Sequence, residues 1–236
     1  MFSSGNITEK LRVAEFDCRG EVVVDMYAGI GYFTLPFLVH GRARTVHACE
    51  WNPVAVEGLR RGLVLNGVRE QCVIHQGDCR EVCPAGVADR VNLGLIPSSE
   101  GGWAAACAAL RRDRGGWLHV HGNVSWKHGN QITGTERNPW EVGEKREVGK
   151  GEVERREKEK EEGAVSSELR RKKAKTHWAE YVVARVGRLL KEGNPLGEGW
   201  RWDVRVGRVV TVKSYAPFVD HVVVDVECRP TTASTE

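Results

Sequence analysis

The sequence predicts an α/β chain whose sheet is mostly parallel and doubly wound, completed at the C-terminal end by an antiparallel hairpin. Three observations carry this expectation. Over the first 128 residues, short β-branched runs alternate with helical patterns. The first run, Val22-Val23-Val24-Asp25, opens into a glycine turn, Ala28-Gly29-Ile30-Gly31. The C-terminal stretch holds two strand patterns separated by a short link.

Glu21–Asp25 reads as strand one, and the glycine turn leads into a helix over Tyr32–His40. Thr45–Glu50 is strand two. Pro53–Asn66 is a helix with Asn52 as its cap, Pro53 in its first position and Asn66-Gly67 as its stop. Its buried face is expected at Val54, Leu59, Leu63 and Leu65. Gln71–His75 is strand three, ended by Gln76-Gly77-Asp78, and Asp89–Ile96 is strand four, ended by Pro97. The alanine-rich helix Trp103–Leu110 can pack closely, and Gly116–His121 is strand five. Order resumes at His177–Lys191, where Trp178, Tyr181, Val182, Val186, Leu189 and Leu190 recur at helical spacing. Val204–Val212 and His221–Glu227 are two strands joined by Lys213–Asp220, and such a link implies an antiparallel pair.

The expected organisation is one domain in two pieces, 1–128 and 176–236, around a charged, disordered insert at 129–175 that can be transiently helical through i,i+4 pairs. With 236 residues and 41% hydrophobic content, the chain can bury a full core. No apolar run is long enough to span a bilayer, and the N-terminus does not read as a signal peptide. The seven cysteines include no CxxC pair, and Cys79 and Cys83 have no second pair or nearby His to complete a zinc site. No metal is expected, and a reducing, cytoplasmic location is. The net charge is +3, and Glu136–Lys175 carries most of it, with 13 Lys/Arg against 11 Asp/Glu. The globular part therefore has little overall electrostatic footprint for nucleic acid, so RNA binding needs a local patch or another domain. The basic run Arg170-Arg171-Lys172-Lys173-Ala174-Lys175 can read as such a patch or as a nuclear signal, with a solvated face the simpler reading.

Residues with chemical content gather at strand ends. A glycine turn at the carboxyl end of strand one lets backbone approach a ligand closely. The dinucleotide pattern GxGxxG has its third glycine where this sequence has Thr34, which favours S-adenosylmethionine over a dinucleotide. Glu50 ends strand two, where a carboxylate accepts both hydroxyls of a ribose cis-diol. Asp78 follows strand three, where a carboxylate accepts from an adenine amino group and the Cys79 amide meets a ring nitrogen. Acids at strand ends are common, but Asp25, Glu50 and Asp78 stand in series at three successive ones. Asn92, Pro97, Ser98 and Ser99 close strand four, where a target would sit; for Ser98 and Ser99 a turn hydroxyl is an equal reading. His119 and His121 alternate on strand five, with core histidines the simpler reading, and the same holds for Asp220-His221.

Four blocks carry a resemblance: Asp-Met-Tyr-Ala-Gly-Ile-Gly-Tyr-Phe-Thr-Leu-Pro (25–36), His-Ala-Cys-Glu-Trp-Asn-Pro (47–53), Asn-Leu-Gly-Leu-Ile-Pro-Ser-Ser (92–99) and Lys-Ser-Tyr-Ala-Pro-Phe-Val-Asp-His (213–221). Over roughly 1–128 and 176–230 the chain resembles the tRNA wybutosine-synthesising protein 2 family, aminocarboxypropyl transferases related to the tRNA guanine-N1 methyltransferases. The block at 92–99 is the most specific, because the methyltransferase relatives carry a different loop there. The resemblance implies a Rossmann-like, S-adenosylmethionine-dependent transferase fold. It implies transfer of the 3-amino-3-carboxypropyl group to 4-demethylwyosine, the modified guanine 3′ of the anticodon of tRNA(Phe). S-adenosyl-L-methionine is then the co-substrate, tRNA(Phe) the partner, and a monomer without membrane attachment the working form.

By the same resemblance Phe2-Ser3, Lys10, Glu50 and Asp78 match cofactor-binding positions, with Lys10 pairing the methionine carboxylate. The expected cofactor site is thus Ser3, Lys10, Asp25, Gly29, Gly31, Glu50, Asp78 and Cys79. The family has Asn where this chain has Cys79, which keeps the backbone amide and drops a side-chain contact. The substrate side is expected at Asn92, Pro97 and Ser98, with no general base assigned. The family's N-terminal RNA-binding region, which precedes the segment matching Phe2, is expected to be missing from this chain. Two alternatives stand: a tRNA guanine-N1 methyltransferase, and a truncated domain that binds the cofactor without turnover.

Overall fold

Three successive valines favour extended backbone buried on both faces, and Val22–Asp25 accordingly forms β1, with every residue buried. The computed structural model describes residues 6–127 and 153–232, with side chains in the second span from 166 onward. In chain order the elements are α1 (Ile7–Ala14), β1, α2 (Thr34–Val39), β2 (Thr45–Glu50), α3 (Pro53–Leu65), β3 (Cys72–Gln76) and α4 (Cys79–Val82). They continue with β4 (Arg90–Leu93), α5 (Trp103–Ala109), β5 (Gly116–Ser125), α6 (Val153–Gly193), β6 (Trp200–Ala216) and β7 (Val219–Thr232).

The strands make one seven-stranded sheet in the order β3-β2-β1-β4-β5-β7-β6. β1 to β5 pair in parallel, and β7 is antiparallel to both β5 and β6. The alternation of strand and helix therefore has the outcome it predicts, a mostly parallel sheet with an antiparallel hairpin. α1 and α4, short elements of eight and four residues, have no counterpart in the sequence reading.

Apolar side chains cover both faces. On one face α5 and α6 bury Trp103, Cys107, Val182 and Val186 against Leu118 and Val120. On the other α2 and α3 bury Phe37, Leu59 and Leu63 against Val23 and Val46. The α3 face needs correction. Val56, Leu59 and Leu63 are buried, whereas Val54 is 79% and Leu65 86% exposed. Val56, Leu59 and Leu63 follow the three-to-four spacing of one stripe, and Val54 and Leu65 fall off it.

Residues 129–152 of the expected insert lie outside the described residues. Helix α6 begins at Val153, well ahead of His177, so 153–175 is helical where composition suggests disorder. Tertiary anchors explain the part with described side chains. Arg171 Nε donates to Oδ2 of the fully buried Asp220 at 2.5 Å, and Lys175 Nζ donates to Thr211 Oγ1 at 3.1 Å. Further along α6, the Trp178 ring lies on Gly122 of β5, where a Cβ would come within 2.4 Å of it. The hairpin is tighter than the expected link: only Pro217 and Phe218 separate β6 from β7.

Helix α1 docks through charge as well as through Val13, which is buried in the apolar cluster with Phe37 and Leu38. Arg12 donates to Glu9 Oε1 at 2.7 Å and to Asp225 Oδ2 of β7 at 2.6 Å. His119 of β5 bonds Asp225 Oδ1 through Nδ1 at 2.6 Å and meets Arg90 Nη1 through Nε2 at 2.9 Å. Arginine can only donate, so Nε2 accepts and the imidazole proton sits on Nδ1, donating to Asp225. Arg90 in turn donates to Glu21 Oε2 at 2.8 Å. The guanidiniums of Arg12 and Arg90 each lie 4.9 Å from the Phe16 ring centroid. Burial pushes the Asp225 carboxyl up, yet the bonds from His119 and Arg12 hold it well below the usual carboxylate range.

The corrected α3 face makes a direct prediction. Leu59→Ala removes a fully buried side chain and should cost roughly 2–5 kcal/mol. Leu65→Ala, on the exposed side, should shift stability by less than about 0.5 kcal/mol. Urea denaturation of the two variants checks this, and equal losses would refute the assignment.

Candidate functional site

The site lies at the carboxyl edge of the parallel strands, around the turn after β1. Gly29 and Gly31 adopt φ of 56° and 100°, the left-handed region open to glycine. At Gly31 a Cβ would also come within 2.9 Å of Leu59. The turn therefore needs glycine for both conformation and closeness to α3. Asp25 differs from the expectation for a contact residue. It is fully buried beneath the turn, where Thr34 Oγ1 donates to Oδ2 at 2.7 Å and Asn92 Nδ2 donates to Oδ1 at 3.0 Å. Burial pushes its carboxyl up against the hydrogen bonds from Asn92 and Thr34. Its work is to position the turn.

Glu50, at the end of β2, is held by two backbone donors. The Gly29 N–H donates to Oε2 at 2.8 Å and the Asn52 N–H to Oε1 at 2.8 Å. Each oxygen keeps a second lone pair, so a rigid carboxylate stands ready for a diol. Asp78 follows β3 and caps α4, accepting from the Arg80 N–H at 2.9 Å and from the Arg80 guanidinium. The Arg80 side chain, then its N–H, hold the Asp78 carboxyl at about 2. Cys79 is buried next to it. Burial pushes its thiol up, against a hydrogen bond with Tyr27. Lys10, on α1, places its ammonium 4.3 Å from the Tyr32 ring centroid, beside the glycine turn. Ser3 lies outside the described residues.

The loop after β4 is strapped to β5. The Pro97 carbonyl accepts from the Asn123 N–H at 2.8 Å, and Ser98 bridges Gly122. Ser98 is exposed, and its Oγ accepts from the Glu100 N–H at 3.2 Å. Ser99 is buried, donating to the His121 carbonyl at 3.2 Å and accepting from Trp103 Nε1 at 3.0 Å. Both hydroxyls thus have turn and packing work. Asn92 is fully buried, with Nδ2 on Asp25 and Oδ1 unpartnered. Behind the loop His121 Nδ1 and His221 Nε2 lie 3.0 Å apart. Burial pulls His221 down to about 4 and His121 well below its ordinary value.

The structure thus brings Lys10, Gly29, Gly31, Glu50, Asp78 and Cys79 to one edge, with Asn92, Pro97 and Ser98 beside them and Asp25 beneath. A carboxylate for a ribose, a carboxylate and amide for an adenine, and an ammonium near the turn fit S-adenosylmethionine. Among the described residues no group of three or more His, Cys, Asp or Glu could hold a metal ion. Among them, too, no helix is long and apolar enough to cross a membrane. Sequence reasoning missed Thr34 and Asn92 as the donors that seal Asp25, and Arg12 and Asp225 as the charges that dock α1. The one available signal is the two-residue repeat His119-x-His121, which puts both imidazoles on the α1 face of β5.

Residues 1–131 match the model of the TRM5/TYW2 methyltransferase domain. The tRNA wybutosine-synthesizing protein 2 homolog of Mus musculus is 50% identical over 242 residues, covering 99% of this chain and 52% of that protein. The chain thus spans about half the length of this curated relative. The crystal structure of M. jannaschii TYW2 in complex with AdoMet is similar at a TM-score of 0.63 and 27% identity, over 98% of this chain and 78% of that one. The M. jannaschii tRNA m1G37 methyltransferase shares the fold at a TM-score of 0.61 and 19% identity, over 98% of this chain and 50% of that one.

The buried imidazoles set a pH dependence. His221 titrates near 4 in the fold and near about 6.5 when unfolded. Between these values the unfolded chain binds more protons, so stability falls as pH drops from about 6.5 to 4. Urea midpoints should decline across that window, and the His121→Gln/His221→Gln variant should flatten the decline. An equal slope in the variant would refute the assignment.

Proposed function

Because the chain belongs to the TRM5/TYW2 methyltransferase domain family, we propose that it is the catalytic domain of an S-adenosylmethionine-dependent tRNA aminocarboxypropyl transferase. Its substrate is 4-demethylwyosine 3′ of the anticodon of tRNA(Phe), in wybutosine synthesis. The observation that carries this reading is the Glu50 carboxylate, fixed by the Gly29 and Asn52 amides within a chain half identical to a wybutosine-synthesizing homolog. The cysteines among the described residues are free thiols, which supports a reducing, cytoplasmic setting. A single copy is the proposed working unit.

S-adenosylmethionine supplies the electrophile: the sulfonium–aminocarboxypropyl bond breaks, methylthioadenosine leaves, and the attacking base carbon loses a proton. The chain's part is orientation, since whichever carbon faces the nucleophile reacts. Glu50 accepts the ribose hydroxyls, Asp78 and the Cys79 amide hold the adenine, and Lys10 with Ser3 holds the methionine tail. Asn92 and the Pro97–Ser98 loop form the target side, and Asp25 keeps turn and Asn92 in register.

Donor-carbon choice is tested by incubating the chain with tRNA carrying 4-demethylwyosine and either carboxyl-labelled or methyl-labelled S-adenosylmethionine. Only the carboxyl label should enter RNA. Methyl label in RNA would instead make the chain a methyltransferase. Neither label in RNA, with binding retained, would leave a cofactor-binding domain. Calorimetry should show Glu50→Gln weakening S-adenosylmethionine by roughly 10- to 150-fold, because a charge-assisted hydrogen bond is worth roughly 1.5–3 kcal/mol. Unchanged affinity would remove Glu50 from the site.

A further inference from the structure

The tip of the β6–β7 hairpin carries an aromatic and cationic cluster that the cofactor site does not use. Ser125, the last residue of β5, pairs with Val219, the first of β7. The hairpin tip therefore stands at the same sheet edge as Glu50 and Pro97. Asn123, which bonds the Pro97 carbonyl, is only two residues from Ser125, about 7 Å along a strand.

Phe218 forms this tip at φ 62°. A bulky L residue in the left-handed region is strained, and such strain persists where the surroundings impose it. The surroundings here are Trp126, whose N–H donates to the Phe218 carbonyl at 3.0 Å and whose ring lies edge-on at 6.2 Å. Despite that packing Phe218 remains 45% exposed, and Tyr215 in the same hairpin end is 54% exposed. Trp126 Nε1 is buried without a partner.

Cations surround the rings. Lys127 Nζ lies 5.9 Å from the Phe218 centroid, and the Arg171 guanidinium 5.0 Å from that of Trp126. Arg171 is fixed there by its two bonds to Asp220, at 2.5 and 2.7 Å. The buried acid is thereby neutralised and α6 is clamped so that the run Arg170–Lys175 begins at the site edge. Arg170, Lys172 and Lys173 are exposed on that turn. Exposed rings interleaved with arginine and lysine match single-stranded RNA, whose bases stack on aromatics and whose phosphates take the cations.

We propose that Phe218 and Tyr215, backed by Trp126 and flanked by Lys127 and the Arg170–Lys175 run, form a docking platform for unpaired RNA nucleotides beside the target base. This rests on the reading of the chain as a tRNA-modifying transferase. The platform takes the nucleotides adjoining the modified guanine, stacking at least one base on Phe218.

The test is fluorescence anisotropy of the full chain with a labelled anticodon stem-loop RNA over a range of salt. Phe218→Gly relieves the positive φ and removes the ring, so thermal stability should not fall while RNA affinity drops roughly tenfold, the value of one stacked base. Phe218→Trp should keep near-normal affinity. Lys172→Gln/Lys173→Gln should reduce the slope of log affinity against log salt by about 1.4. S-adenosylmethionine affinity should stay constant throughout. If the parent chain binds RNA and Phe218→Gly binds it equally well, the platform is wrong and the tRNA reading stands. If the parent chain binds S-adenosylmethionine but no RNA at low salt, both fail. Self-association abolished by Phe218→Gly, with RNA affinity unchanged, would assign the surface to a second copy and overturn the proposal.

Discussion

The Asp25 carboxylate, sealed from solvent at the end of β1, accepts from Thr34 at the start of α2 and from Asn92 in β4. Those bonds join the glycine turn, the helix after it and the strand that leads to the Pro97–Ser98 loop. Losing either donor would leave a buried polar group short of a partner, at a cost of roughly 1–3 kcal/mol. The three elements therefore cannot drift apart independently. Gly29, whose amide holds Glu50, is part of this arrangement. The Glu50 carboxylate is thus positioned, through the turn, by a buried acid.

A second buried network supports the other side of the site. Glu21, Arg90, His119, Asp225, Arg12 and Glu9 run in series from the foot of the sheet to α1. Through it α1 docks on β5 and β7, which brings Lys10 to the glycine turn. Charged groups in such a chain strengthen one another in a low dielectric, and each is costly to leave unpaired. The helix is only eight residues long and would be marginal alone. Its position is a product of these pairings and of the buried Val13. The same strand, β7, continues to Asp220 and secures Arg171, so the α6 end and the hairpin tip are bound to the same framework.

Much of the architecture was legible because it rests on short-range rules. The valines of β1, the Asn52–Pro53 start of α3 and the glycine turn are local signals, and each element forms where they stand. The strand-end acids were legible for the same reason: in a parallel sheet the carboxyl ends share one edge. What was not legible depends on partners distant in sequence. Val54 and Leu65 look as apolar as Leu59, and it is the packing of α3 against β2 and β3 that puts the Val56–Leu59–Leu63 stripe inside. The charged run around Arg171 reads as solvated until Asp220, far along the chain, is set beneath it.

Local patterns alone specify the alternation of strands and helices, the position of the glycine turn and the edge at which Glu50 and Asp78 meet. Periodicity, β-branching and glycine conformation are properties of neighbouring residues, so they survive without a fold. The packed fold is what buries Asp25 beneath the glycine turn, docks α1 through Arg12 and Val13, and brings Phe218, Trp126 and Arg171 together at one edge. Burial and ion pairing between remote residues arise when strands take their register, and no local pattern encodes that register.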